Sequence, residues 1–154
     1  MSGSKCGKPL ARVGFQVSDQ SIYDVTGYCA AEMAFDEANG SADFPVKIEM
    51  VPIVDERSPE VARRRADSFT SDSRAVGVLG PLNSDMALSN QDIYNSAGLA
   101  QLTSEASNPM LTARGFRNFF RLVASDEVQG RALARVACSY LDMRRIVVLH
   151  DGSA

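Results

Sequence analysis

Hydroxyl and amide side chains crowd two short stretches of this sequence, Asn83-Ser84-Asp85 and Ser104-Glu105-Ala106-Ser107-Asn108. Each follows a short apolar run, residues 75–80 in one case and 99–103 in the other. Runs of that length read as strands, and the residues from Ser84 onward read as a helix. A helix start leaves backbone N–H groups without partners and carries the positive end of the helix dipole. Those donors, the Ser84 hydroxyl and a second hydroxyl from Ser107 on the adjoining strand end suit a carboxylate or another small anion. A plainer reading stays open beside it. Asn83 or Ser84 is then only the cap of its helix, and Ser107 only a turn residue.

Other chemistries find little to build on. The residues after the first apolar run, Gln16-Val17-Ser18-Asp19-Gln20, lack the glycine-rich turn of a dinucleotide site. No Gly-Lys-Ser/Thr triplet marks a phosphate loop, and no Gly-x-Ser-x-Gly marks a nucleophile elbow. His150 is the single histidine and ends an apolar run, so it reads as an exposed or edge residue rather than part of a triad or metal site. A phospho-receiver would want an acidic residue where the third strand ends in Gly80-Pro81-Leu82-Asn83. Asp36, Glu37, Asp55 and Glu56 read as solvated helix or loop positions. Cys6, Cys29 and Cys138 have no metal or redox spacing. Cys29 and Cys138 fall on apolar helix faces and read as buried thiols; Cys6 follows Ser4-Lys5, which lacks the apolar character of a lipid-anchor motif. The expectation is a protein that is not an enzyme, with no metal and no cofactor.

The net charge of −3 argues against nucleic acid as a partner, because phosphate binding needs a basic face. The densest basic run, Arg63-Arg64-Arg65, sits in a helical pattern and reads as a solvated face. No apolar run approaches the ~20 residues of a membrane-spanning helix. Met1-Ser2-Gly3-Ser4-Lys5 reads like an expression remnant, so residues 1–9 are taken as an N-terminal extension.

Positioning those stretches requires an alternation of strands and helices. Strands are predicted over 10–15, 46–54, 75–80, 99–103, 119–123 and 144–150. Pro52 puts the end of the second strand at an edge or out of the ladder. The third, apolar throughout, should be covered on both faces. A first helix from Asp24 to about Asn39 would bury Val25, Cys29 and Met33, widened by Phe35 and Ala38, before the stop at Asn39-Gly40. Ser58-Pro59-Glu60 opens a second helix running to about Thr70. A third spans 84–97 and stops at Gly98, and a last one spans about 126–141 with Val128, Ala132, Val136 and Tyr140 on one face. The stretch between Thr103 and Phe119 reads as a polar loop. This order implies right-handed crossovers and an α/β fold, a doubly wound, mostly parallel sheet flanked by helices. Ligands of such sheets sit beyond the carboxyl ends of the strands, where the strand order reverses.

Three stretches carry a family resemblance: Gly80-Pro81-Leu82-Asn83-Ser84, Asp92-Ile93-Tyr94-Asn95-Ser96-Ala97-Gly98, and the run from Thr103 through Ser107-Asn108-Pro109-Met110-Leu111-Thr112 to Phe116. Phe119-Phe120-Arg121, Gln129-Gly130 and His150-Asp151-Gly152-Ser153-Ala154 extend it. Together they resemble the type I periplasmic solute-binding proteins, in particular the leucine/isoleucine/valine-binding branch, over roughly residues 10–154. The resemblance implies that Ser84 and Ser107 hold the ligand's α-carboxylate and ammonium groups, helped by the backbone at Glu105, with Asn83 and Ser104 beside them. It implies a ligand-binding lobe over 10–123, and over 124–154 the first helix and strand of a second lobe that closes over the ligand.

There are departures. Gln20 stands where an aromatic residue would shield the ligand side chain, and Arg57 and Asn83 stand where some members carry a disulfide. The function implied is that of the receptor of an ABC-type uptake system, binding an amino acid or similar small carboxylate for a membrane permease, in a periplasmic or extracellular location. A ligand-sensing regulatory domain of the same fold and an excised lobe used as a scaffold are the alternatives. Homo-oligomerisation through 126–150 is expected if that segment lacks the neighbours of a second lobe.

Overall fold

Each apolar run pairs with a neighbour reached through a helix, and the result is one parallel sheet. The computed structural model describes residues 7–19, 22–150 and 152. Its strands are β1 (Leu10–Val17), β2 (Lys47–Val54), β3 (Ala75–Leu79), β4 (Ala100–Thr103) and β5 (Phe119–Arg121), in the order β2-β1-β3-β4-β5. Every adjacent pair is parallel. The helices are α1 (Ile22–Gly40), α2 (Pro59–Thr70), α3 (Ser84–Ser96), the short α4 (Met110–Ala113) and α5 (Asp126–Arg135), which runs on into a π-helical turn, Val136–Tyr140. From β1 the chain first steps outward to β2 and then crosses back to β3, so the strand order reverses between β1 and β3. That reversal opens a crevice at the carboxyl ends of these two strands. The Pro52-bearing strand β2 is the edge, as its missing donor requires.

Two helices cover one face. Ser58 caps α2 through its hydroxyl, which accepts from the Val61 amide at 3.4 Å, and α2 buries Ala62, Ala66 and Phe69. The main core joins Ile53, Ala66, Phe69 and Val78 to Tyr94 and Leu99. A smaller cluster of Ala87, Ala106, Leu111 and Phe119 lies under α4. That helix falls where a loop was expected. Its local signal is Asn108, whose side chain accepts from the Met110 amide at 2.8 Å, next to Pro109.

The opposite face carries α1. Register aligns Phe15 with Leu79, Leu79 with Leu102 and Leu102 with Phe120 across four strands. Phe15 is only 6% exposed, whereas Phe120, at the far end of that row, is 52% exposed. The side of α1 that packs is not the stripe read from the sequence. Val25 and Met33 are exposed, and so is Cys29. Instead Tyr28 sets its ring edge-on to Phe15, with centroids 5.5 Å apart. Gly27 lies against the same ring, where a Cβ would stand at contact distance, 3.4 Å from Phe15. The helix also begins at Ile22, so Asp24 lies within it rather than capping it.

Three further expectations are corrected. Val76 in β3 is 52% exposed, so that strand is not covered throughout. Cys138 is exposed, because neither α5 nor the π-helical turn buries any residue. Residues 144–150 form no strand, and Val147 and Leu149 lie open to solvent. A β-segment gains its backbone hydrogen bonds only from a neighbouring strand, and this segment has none to pair with among the described residues.

Candidate functional site

The carboxyl edge of the sheet is built on a buried polar knot. Gln16, near the end of β1, has no exposed surface, and its Nε2 donates to Asp55 Oδ2 at 2.9 Å. Its Oε1 accepts from Asn90 Nδ2 at 3.0 Å and from the Tyr94 hydroxyl at 3.2 Å, both on α3. Asp55 Oδ1 accepts from the Arg57 amide at 3.0 Å, which shapes the turn after β2. Asp55 is therefore fully buried and not the solvated loop residue read from the sequence. Its exposure would strand the Gln16 amide. Burial pushes the Tyr94 hydroxyl above its ordinary pKa, with the nearby Asp55 acting in the same direction, so Tyr94 stays a neutral donor.

Above this knot the loops are cross-braced. Asn83 occupies the N-cap position of α3, but its side chain does not cap the helix; Nδ2 instead donates to Ser18 Oγ at 2.8 Å, across to the loop after β1. Arg57 pairs with Asp19 of the same loop at 3.2 Å. Gly80 bends the chain out of β3 with φ of +95°, and a Cβ there would lie 2.5 Å from the Gln16 carbonyl oxygen. Glycine is thus required on two counts. Thr103, fully buried at the end of β4, donates its hydroxyl to the Pro81 carbonyl at 2.8 Å and accepts from the Ala106 amide at 3.1 Å. One hydroxyl so ties the β4 loop to the β3 loop. Sequence reading gave no role to Gln16 or Thr103 and took Asp55 for a solvated residue; a glutamine among apolar residues near a strand end was the available sign.

The residues singled out in the sequence gather at this edge, though not in one hollow. A cleft of about 680 Å³ has Phe15, Leu79 and Leu102 along the sheet, α1 as one wall, and Gly80, Ser104 and Glu105 at the strand ends. A second hollow of about 450 Å³ is lined by Glu105, Ser107, Val123, Ala124 and Gln129. Glu105 bounds both. Asn83 and Ser84 line neither; Ser84 Oγ accepts from the Asn108 amide at 3.2 Å, one residue beyond Ser107. The hydroxyls of Ser104 and Ser107 make no hydrogen bond among the described residues. The Ser107 carbonyl is occupied, taking the Asp126 amide at 2.9 Å and Arg121 Nη1 at 3.2 Å. Gln20 lies outside the described residues. Among the described residues no side chain caps the first turn of α3, so its N–H groups keep their capacity to hold an anion. Among the described residues no three His, Cys, Asp or Glu side chains come together as metal ligands.

A parallel sheet flanked by helices, with hydroxyl-bearing loops at its carboxyl edge and a reversal of strand order between β1 and β3, is the architecture of α/β domains that bind ligands at that edge. Residues 26–153 match the family model described as receptor family ligand binding region, and the chain belongs to that family. Relatives include the Leu/Ile/Val-binding protein of Escherichia coli, 28% identical over 92% of this chain and 39% of its own length. An amino acid binding protein of Pseudomonas aeruginosa is 28% identical over 68% of this chain and 28% of its own. The chain thus spans less than two fifths of these curated relatives. Among solved structures, an ABC transporter substrate-binding protein from Desulfitobacterium hafniense superposes with a TM-score of 0.75 at 27% identity, over 85% of this chain and 39% of that one. A branched-chain amino acid transporter substrate-binding protein from Streptococcus pneumoniae, in complex with isoleucine, shares the fold with a TM-score of 0.75 at 22% identity, over 86% of this chain and 39% of that one. The relatives named here are binding proteins rather than enzymes. No helix among the described residues is long and apolar enough to cross a membrane.

Proposed function

We propose that this chain is the first lobe of a solute receptor of an ABC-type uptake system, binding an amino acid or a similar small carboxylate. The observation that carries the reading is the meeting of two loops at the carboxyl edge, where Ser84 in the uncapped first turn of α3 accepts from the Asn108 amide at 3.2 Å, next to Ser107, and the hydroxyls of Ser104 and Ser107 are unengaged among the described residues. An α-carboxylate seated there meets aligned N–H donors and the positive end of the dipole, while Ser84, Ser107 and the backbone at Glu105 complete its polar contacts. Residues 10–123 are the ligand-binding lobe, and 124–154 begin the second. The Asp126 amide on the Ser107 carbonyl makes one link between the two at the ligand loop. Closure of the second lobe would enclose the ligand and present the closed form to a membrane permease, in the periplasm or outside the cell.

Calorimetry on the full-length protein tests this with a panel of amino acids and small carboxylates. Micromolar binding of a member of the panel is expected, against millimolar or no binding by residues 1–154 alone. One lobe supplies one wall, and tight sites bury roughly 70–90% of a ligand's surface. A folded full-length protein that takes none of the panel overturns the reading. Equal affinity of the short chain overturns the role given to the second lobe. For the 154-residue chain by itself we infer self-association through 126–150, supported by the exposure of that segment's apolar side chains.

A further inference from the structure

We propose that the solute bound at this edge carries a second positive charge beside its α-ammonium group, as a basic amino acid does. The inference rests on the amino-acid reading above.

Among the described residues Glu105 carries the only ionisable side chain on the lining of the main cleft, and it also bounds the second hollow, so a ligand entering from either side meets the same carboxylate. It is exposed and has no ion-pair partner among the described residues. Asp19 differs, being paired with Arg57. Nor is Glu105 on a slack loop, because the Thr103 hydroxyl accepts from the amides on either side of the turn, at Glu105 (3.4 Å) and Ala106 (3.1 Å). The backbone that carries the charge is fixed at the cleft, and the carboxylate makes no hydrogen bond or ion pair among the described residues.

The surrounding rim points the same way. The strand ends at this edge hold Asp19, Glu56, Asp85 and Glu105, with Asp55 buried below them, against two cations: Arg57, which pairs with Asp19, and Arg121, whose guanidinium is taken up by the Ser107 and Asn108 carbonyls. A half-enclosed cleft of one sign with apolar walls concentrates ions of the other sign. Closure of a lobe over the site would sharpen the choice. A carboxylate shut in without a partner is costly: with the α-carboxylate and α-ammonium held at Ser84 and Ser107, an aliphatic side chain would leave Glu105 desolvated and unpaired, and an acidic one would set two like charges together. An alkyl-ammonium or guanidinium side chain resolves both. Its methylene stem can lie along Leu79 and Leu102 while its charged end reaches Glu105.

The test uses the full-length protein and calorimetry with L-lysine, L-arginine, L-leucine and L-glutamate. Lysine or arginine should bind at least about ten-fold more tightly than leucine, and Glu105→Gln should cut that preference by about ten-fold or more while leucine affinity moves less than about three-fold, the scale of a charge-assisted hydrogen bond. Leucine or glutamate binding as tightly as the basic pair overturns the inference, as does a Glu105→Gln variant that weakens every ligand alike. If a cooperatively melting protein binds none of the four, the amino-acid reading fails and takes this inference with it.

Discussion

The side chains of Gln16 and Asp55 meet 2.9 Å apart with neither exposed to solvent, although they stand 39 positions apart in the chain. This bond joins the end of β1 to the turn after β2, and α3 closes over it through Asn90 and Tyr94. The ligand loops therefore stand on a polar base in which every group has a partner.

Removing one member strands the rest. Gln16→Leu should destabilise the chain by about 3 kcal/mol, since it takes one donor from the buried Asp55 and leaves the Asn90 amide and the Tyr94 hydroxyl without the acceptor they share. Urea unfolding measures it. A loss under about 1 kcal/mol would mean that the knot is hydrated and contributes little.

Two glycines with positive φ separate backbone strain from steric conflict. Gly115→Ala, at φ of +75° with open space around the added carbon, should cost about 1–2 kcal/mol. Gly80→Ala adds a 2.5 Å approach to the Gln16 carbonyl and should cost clearly more, with displacement of the cleft-lining loop. Equal midpoints for the two variants in a denaturant titration would refute the close approach.

At the other end of the sheet, Asp72 accepts hydrogen bonds from Arg74 and from Arg12 Nη1 at 2.6 Å, which hold its carboxyl well below the ordinary range. Arg12 also lowers Glu49. A carboxyl whose folded pKa is depressed adds stability above its unfolded value, near pH 4, and loses it as pH falls toward the folded value. Arg12→Met should thus cost more stability at pH 7 than at pH 2, and its acid limb should be shallower. Parallel stability curves for the two proteins would contradict this.

In the full-length protein Ser84→Ala and Ser107→Ala should each weaken the ligand by about 1–3 kcal/mol, the scale of a hydrogen bond to a charged group. Because Ser84 also takes the Asn108 amide, its variant should lower the melting temperature as well, while Ser107→Ala should not. Unchanged affinity in both removes the proposed carboxylate and ammonium contacts.

The 154-residue chain should sediment as an oligomer at micromolar concentration. Val128, Val136, Ile146, Val147 and Leu149 all face solvent, and burying such side chains is worth about 1.5–3 kcal/mol each. A monomer whose 126–150 amides exchange slowly would show that the segment folds back on its own chain.

The strand and helix order follows from local signals that act within a few residues of themselves. Ser58-Pro59 starts α2, Gly98 with φ of +69° stops α3, and Pro52 keeps β2 at an edge. The hydroxyl-rich ends of β3 and β4 are likewise visible in the sequence, because a strand followed by a helix places its connecting loop at the carboxyl edge. Which face of α1 is buried could not be read there, since Tyr28 packs on Phe15 and the sheet decides between two apolar stripes. Asp55 reads as a solvated loop acid until Gln16, and through it Asn90 another 74 residues further along from Gln16, is brought against it. Residues 144–150 have the composition of a strand and are not one, for propensity is local whereas a strand's hydrogen bonds belong to its neighbour. Local chemistry set the order of β1 to β5 and of the long helices, whereas the packing of distant segments decided whether residues 144–150 pair as a strand, which polar groups are buried and which remain open to a ligand.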